Sequence, residues 1–124
     1  MPLVIAHLPT GHNPAQKHAL LEKSTQAVVE SLNAPISAIR IMLQEYPEEA
    51  SMCAGQAGAM QLLYFVYLIE GRSSQLKAAL MAALHEAAVS SLGISTDEVR
   101  VVIHDMPKTD IGLAGGISAA AAGR

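Results

Sequence analysis

Pro2, Arg40, Arg72 and Arg100 are the residues of this chain best suited to proton transfer on a small organic anion. Methionine is trimmed readily before a small residue such as proline, so removal of Met1 is expected, and it would expose the Pro2 secondary amine. That amine is ordinarily protonated at pH 7. Burial among apolar groups and nearby arginines both disfavour the cation and move the amine toward neutrality, where a general base works best. Proline at position 2 also occurs without any catalytic role, so the weight falls on its company. Arg40 and Arg100 interrupt short apolar runs, and Arg72 follows another such run in a Gly-Arg pair. An arginine so placed holds a carboxylate through two parallel hydrogen bonds and stabilises an enolate. A single arginine taken alone reads more simply as a solvated surface residue.

The elements that must position these residues come in duplicate. With a shift of 60, Leu3 falls on Leu63, Leu8 on Leu68, Gly11 on Gly71, Lys17 on Lys77, Arg40 on Arg100 and Pro47 on Pro107. Each half reads strand, helix, strand. Apolar runs at 2–8 and 61–69 end in the turn signals Pro9-Thr10-Gly11 and Glu70-Gly71. Asn13 and Pro14 open the first helix, and Ser73 or Ser74 opens the second. Leu20, Leu21, Val28, Val29 and Leu32 recur at helical spacing, as do Leu76, Leu80, Leu84, Ala87 and Leu92. Asn33 and Gly93 occupy matched helix ends suited to a left-handed backbone. Strands over 38–43 and 98–103 complete the halves.

A strand, a crossover helix and a second strand form a right-handed parallel unit. The expected fold is therefore α/β: two tandem β-α-β units giving a four-stranded sheet with two helices on one face. The 124 residues make one domain, with repeats over about 2–47 and 61–107 and a linker over 48–60. The other sheet face is left bare and calls for a cover, such as sheets packed around a threefold axis. Composition agrees, because 51% apolar residues is high for a chain with so much surface per volume.

Eight Lys and Arg against eleven Asp and Glu give a net charge of −3, which argues against nucleic acid as a partner. The longest apolar run, 62–69, is too short to span a membrane. No charged leader precedes Lys17, so the expected location is cytoplasmic. Cys53 stands alone, which excludes an internal disulfide, and it reads as a small buried apolar residue. The histidines His7, His12, His18, His85 and His104 lack ligand spacing, so no metal is expected.

The sequence resembles the tautomerase superfamily, and most closely a fused form of 4-oxalocrotonate tautomerase. The resemblance rests on Met-Pro-Leu-Val-Ile at 1–5, Leu-Ile-Glu-Gly-Arg-Ser at 68–73, Val-Arg-Val-Val-Ile at 99–103 and Ile-Gly-Leu-Ala-Gly-Gly at 111–116. It implies the fold shared with macrophage migration inhibitory factor, a homotrimer, and no cofactor. It also implies a keto–enol tautomerase of small 2-hydroxy-dienoate or enolpyruvate acids, an isomerase whose general base is Pro2. Arg72 matches the arginine that binds the substrate carboxylate, with His12 in its place in the first half. Arg40 and Arg100 both match a second arginine, which engages the carbonyl oxygen and the other carboxylate. Ile111 stands where the family has a pocket phenylalanine, and Ser51 is its first-half counterpart. Only the first half keeps the proline, Leu62 being its match, so three working sites per trimer are implied.

Relatives that activate water carry an extra strand arginine and a carboxylate near the C-terminal hairpin, where this chain has Ile69 and Leu113. Decarboxylation or dehalogenation of small unsaturated acids is the alternative chemistry on the same fold. A trimeric binding protein without catalysis is the alternative of another class. Among the remaining residues, Glu48 and Glu49 read as solvated, Tyr64, Phe65 and Tyr67 as sheet or interface packing, and 117–124 as a short docked or frayed tail.

Overall fold

The computed structural model describes residues 2–124, and the expected loss of Met1 lies outside them. Strand β1 (Leu3–Pro9) leads through helix α1 (Pro14–Leu32) to strand β2 (Arg40–Tyr46). A small hairpin of β3 (Met52–Cys53) and β4 (Gln56–Ala57) follows. Strand β5 (Leu62–Ile69), helix α2 (Ser74–Leu92) and strand β6 (Val99–Met106) then repeat the first motif.

Local chemistry sets the helix ends. The Asn13 side chain accepts from the Gln16 N–H while the Gln16 side chain accepts from the Asn13 N–H, a reciprocal cap in front of Pro14. Ser73, rather than Ser74, caps α2 by accepting from the Leu76 N–H. Asn33 and Gly93 both take left-handed backbone and donate to Val29 and Val89. Both second strands start later and run further than expected. Single 3-10 turns at Ile36–Ala38 and Thr96–Glu98 delay β2 to Arg40 and β6 to Val99.

The sheet order is β2-β1-β5-β6. β1 pairs in parallel with β2, β5 pairs in parallel with β6, and β1 and β5 run antiparallel at the centre. Ile5 and Phe65, residues matched by the internal repeat, sit directly opposite each other in that central pair. A pseudo-twofold axis therefore passes between them, and the second half is the first turned end for end.

Both helices cover one sheet face. Val4, Ala6 and Leu8 of β1 and Tyr64, Val66 and Leu68 of β5 alternate into a core filled by Leu20, Val28, Leu80 and Leu84, all with no exposed surface. Each buried Val or Leu side chain contributes about 1.5–3 kcal/mol. One polar contact lies in this core, where the Ser24 and Tyr64 hydroxyls meet at 2.8 Å. Burial pushes the Tyr64 phenol up to about 12, and the Ser24 bond acts weakly in the opposite direction. The repeat also preserves an exposed ion pair, since Lys17–Glu45 and Lys77–Asp105 occupy matched positions.

The face away from the helices carries Leu3, Ile5, His7, Leu63, Phe65 and Tyr67, only half-buried in the single chain. His7 meets Phe65 edge to face at 5.3 Å, and Tyr67 stacks on His104 at 4.9 Å. The three aromatic residues of β5 thus divide: Tyr64 fills the core, while Phe65 and Tyr67 belong to this bare face. Two expectations are corrected. Cys53 is exposed, because β3 and β4 form a surface ribbon too short to bury it. Leu76 is 38% exposed, because it lies in the first turn of α2, before the helix reaches the core at Leu80. The tail is docked: Ala119 is fully buried, and Gly112 bridges Ser118. Among the described residues, no helix is long and apolar enough to cross a membrane.

Candidate active site

Because β1 and β5 are antiparallel, the start of β1 and the end of β5 lie at the same edge of the sheet. This brings Pro2 and Arg72 together, although 70 positions separate them in the sequence. Both line a cavity of about 350 Å³ with Ile69, Glu70, Lys108 and Arg124. Pro2 is fully buried. Arg72 is half-buried, and its guanidinium donates to the Ile69 carbonyl at 3.3 Å. That bond ties one guanidinium nitrogen to the residue's own turn and leaves further N–H donors available.

Arg40 begins β2 beside Pro2, and its N–H donates to the Pro2 carbonyl at 3.1 Å. Its side chain lines a second cavity of about 600 Å³, which shares Pro35, Ala38 and Arg124 with the first. The far wall of that second cavity is the docked tail, through Gly112, Leu113 and Ile117. Ile111 itself sits half-buried in the hairpin base, where its carbonyl accepts from Ala119 at 3.0 Å.

Arg100 lies at the opposite end of the sheet. It is paired with Leu63 across the β5–β6 ladder, and its guanidinium donates to the carbonyls of Asp97 at 2.7 Å and Val99 at 3.0 Å. His12 is at that end too. It lines a cavity of about 310 Å³ with Pro9, Thr10, Glu48, Met60 and Ile94. This is the pseudo-symmetric partner of the Pro2 cavity, and Glu48 stands in it where Lys108 stands in the other. Glu48 is exposed, as expected of a solvated residue, and it also borders this cavity. Lys108 and Arg124 were missed in the sequence. Lys108 had a usable signal, a reversal of charge under the shift of 60, whereas Arg124 reaches the site only because the tail folds back.

A further apolar recess lies on the bare sheet face, lined by His7, Leu63, Phe65 and Ser51. The Ser51 hydroxyl is buried there without a hydrogen-bond partner among the described residues. Ser51 is thus remote from Pro2, as the end-for-end relation of the halves requires.

The Pro2 end offers a buried ring nitrogen position, arginines on either side of it and an apolar wall. Such a set can bind a small carboxylate and move one proton. A sequence model of the tautomerase enzyme family matches the chain twice, over residues 2–58 and 65–121. The chain belongs to the tautomerase family. It is an isomerase of that family in fused form. The 2-hydroxymuconate tautomerase of Comamonas testosteroni is 42% identical over 59 residues, which is 48% of this chain and 92% of that protein. Among solved structures, a Q0 fused 4-OT wild-type symmetric trimer superposes with a TM-score of 0.95 at 49% identity, covering 98% of this chain and 99% of that one. Pt0534 inactivated by 2-oxo-3-pentynoate superposes with a TM-score of 0.96 at 42% identity, again over 98% and 99%. The expected fold, with two helices over a mixed four-stranded sheet, is the fold of these proteins.

Proposed function

We propose that this tautomerase converts small 2-hydroxy-dienoate or enolpyruvate acids to their keto forms, with Pro2 as the proton carrier. The observation that carries the reading is the cavity common to Pro2 and Arg72, one from each half of the chain. After removal of Met1, the neutral Pro2 amine takes the proton from the enol hydroxyl. The electron pair of that O–H bond becomes the new carbonyl, and negative charge moves along the diene. Arg72 holds a carboxylate, and Arg40 faces the developing oxyanion and the other carboxylate. Pro2, now protonated, returns the proton to carbon, so atoms and charge balance with no other reactant. Burial of Pro2 favours its neutral form, and the arginines act in the same direction by repelling a second cation.

The same reading takes the chain as one domain of two fused repeats, assembled as a homotrimer whose bare sheet faces cover one another. The fused 4-OT relatives at 49% and 37% identity are trimers, the first symmetric and the second asymmetric. Leu62 has no ring nitrogen, so three Pro2 sites would work per trimer. The role of Arg100 belongs to the Leu62 end, and Ile111 stiffens the hairpin behind Arg40.

Absorbance-followed ketonisation of 2-hydroxymuconate and phenylenolpyruvate, wild type beside Pro2→Ala, tests this. Wild-type turnover that disappears in Pro2→Ala is the expected result. No rate above the uncatalysed background, in protein shown by mass to lack Met1, would overturn it.

A further inference from the structure

Four of the eight Lys and Arg residues gather at one end of the sheet: Arg40, Arg72, Lys108 and Arg124 line the two adjoining cavities beside Pro2. Lys17 and Lys77 are ion-paired elsewhere, Lys23 donates to Ser90 on the helix side, and Arg100 is at the far end. Among the described residues, neither Arg72 nor Lys108 has a carboxylate within ion-pair distance. Glu70 is the one acidic residue lining the Pro2 cavity, against Arg72, Lys108 and Arg124. Cations crowded in a concave site repel each other and are relieved by an entering anion, more so by one of higher charge.

The chain carries its own control. The pseudo-symmetric cavity at the other end has the same backbone origin and a similar size. There His12 replaces Arg72, Glu48 replaces Lys108 and Thr10 replaces Glu70, and its lining has no Lys or Arg. The turn after β2 accepts a glutamate where the turn after β6 has Lys108, so the fold itself does not require a lysine. The backbone carbonyl of Lys108 accepts from Ala120 at 3.0 Å, a bond any residue can supply.

We propose that Lys108 determines substrate charge. With Arg72 it receives the distal carboxylate of a dicarboxylate, so that the Pro2 end favours dianions over monoanions of similar length. This rests on the tautomerase reading above, in which the near carboxylate and the oxyanion face Arg40.

The test is the steady-state kinetics of 2-hydroxymuconate, a dicarboxylate, and phenylenolpyruvate, a monocarboxylate, in wild type, Lys108→Ala, Lys108→Arg and Lys108→Glu. Removing one charge-assisted hydrogen bond to the bound substrate should raise KM for the dicarboxylate by roughly 5- to 20-fold in Lys108→Ala while kcat changes far less. Lys108→Arg should restore most of it, Lys108→Glu should be worse, and the monocarboxylate should respond much less to all three. Lys23→Ala, which removes an equal charge away from the cavity, should not reproduce the effect. Equal losses for both substrates, or a fall in kcat alone, would overturn the proposal. Should wild type turn over neither substrate, the tautomerase reading fails separately. Calorimetry with adipate and hexanoate then decides the matter for Lys108. Tighter binding of adipate, abolished in Lys108→Ala, supports its role, and equal binding of the two acids overturns it.

Discussion

The N–H of Arg40 donates to the carbonyl of Pro2 at 3.1 Å, yet the two side chains stand on opposite faces of the sheet. Arg40 is directly opposite Leu3 and shares its face, the one without helices, whereas Pro2 precedes Leu3 and is buried toward the helices like Val4. If the bare faces meet in an oligomer, Arg40 projects toward a neighbouring protomer. Reassembly of Pro2→Ala with Arg40→Ala subunits should then regain activity that neither homogeneous variant has. No recovery in mixed oligomers of confirmed composition would mean that Arg40 serves the proline of its own chain.

Arg72 and His12 are matched by the repeat but lie at opposite ends of the sheet. Arg72→Ala should lower kcat/KM by roughly 10- to 100-fold, the scale of one charge-assisted interaction with a carboxylate. His12→Ala, at the end without a proline, should change it less than twofold by the same reasoning. Parallel assays of the two variants distinguish a one-ended from a two-ended enzyme.

Electrophilic trapping addresses Pro2 directly. 2-Oxo-3-pentynoate, which inactivates the related Pt0534, presents an activated alkyne to an amine. It should inactivate this protein and add the mass of one inhibitor molecule per chain, with the label on the N-terminal peptide. Pro2 supplies the attacking nitrogen and returns its proton to the former alkyne carbon. An adduct on exposed Cys53 instead, with activity intact, would contradict this assignment.

Tyr64 and Ser24 offer a test of the core. Tyr64→Phe leaves the Ser24 hydroxyl buried and unpaired, which should cost about 1–3 kcal/mol in denaturant unfolding. The double variant with Ser24→Ala should recover part of that loss. The Tyr64 phenol titrates near 12 when folded and at the ordinary 10.0 when unfolded, so the folded state retains the proton longer. Wild-type stability is therefore undiminished by this group below pH 10 and should fall as pH rises from 10 to 12. The expected loss is on the order of 2 kcal/mol, and Tyr64→Phe should lack it.

The caps at Asn13, Asn33 and Gly93 were legible because capping is settled within a few residues of sequence, and the α2 cap was narrowed to Ser73 or Ser74. Arg72 was singled out by the Gly-Arg pair that ends an apolar run, and the antiparallel pairing of β1 with β5 places it in one cavity with Pro2. The start of β2 was not legible, since the 3-10 turn at Ile36–Ala38 uses apolar residues that also suit a strand. Cys53 read as buried because thiols usually are, and only the shortness of the β3–β4 ribbon exposes it. Arg124 joins the cavity through long-range docking of the tail, anchored by Ala119, and no local rule carries that information, whereas Lys108, two residues past β6, was marked only by its charge reversal against Glu48. The separation of Arg40 from Arg100 likewise depends on the antiparallel turn of one half against the other, which the repeat alone leaves open.

That end-for-end arrangement also constrains inheritance. On the proposed function, the Pro2 end takes its proline and Arg40 from one half, and Arg72 and Lys108 from the other. Splitting the gene would therefore yield two incomplete products, each lacking what the other encodes. On that reading a substitution at the Pro2 end is constrained in both halves at once, whereas the opposite end, with Leu62, His12 and Glu48, carries no such joint requirement.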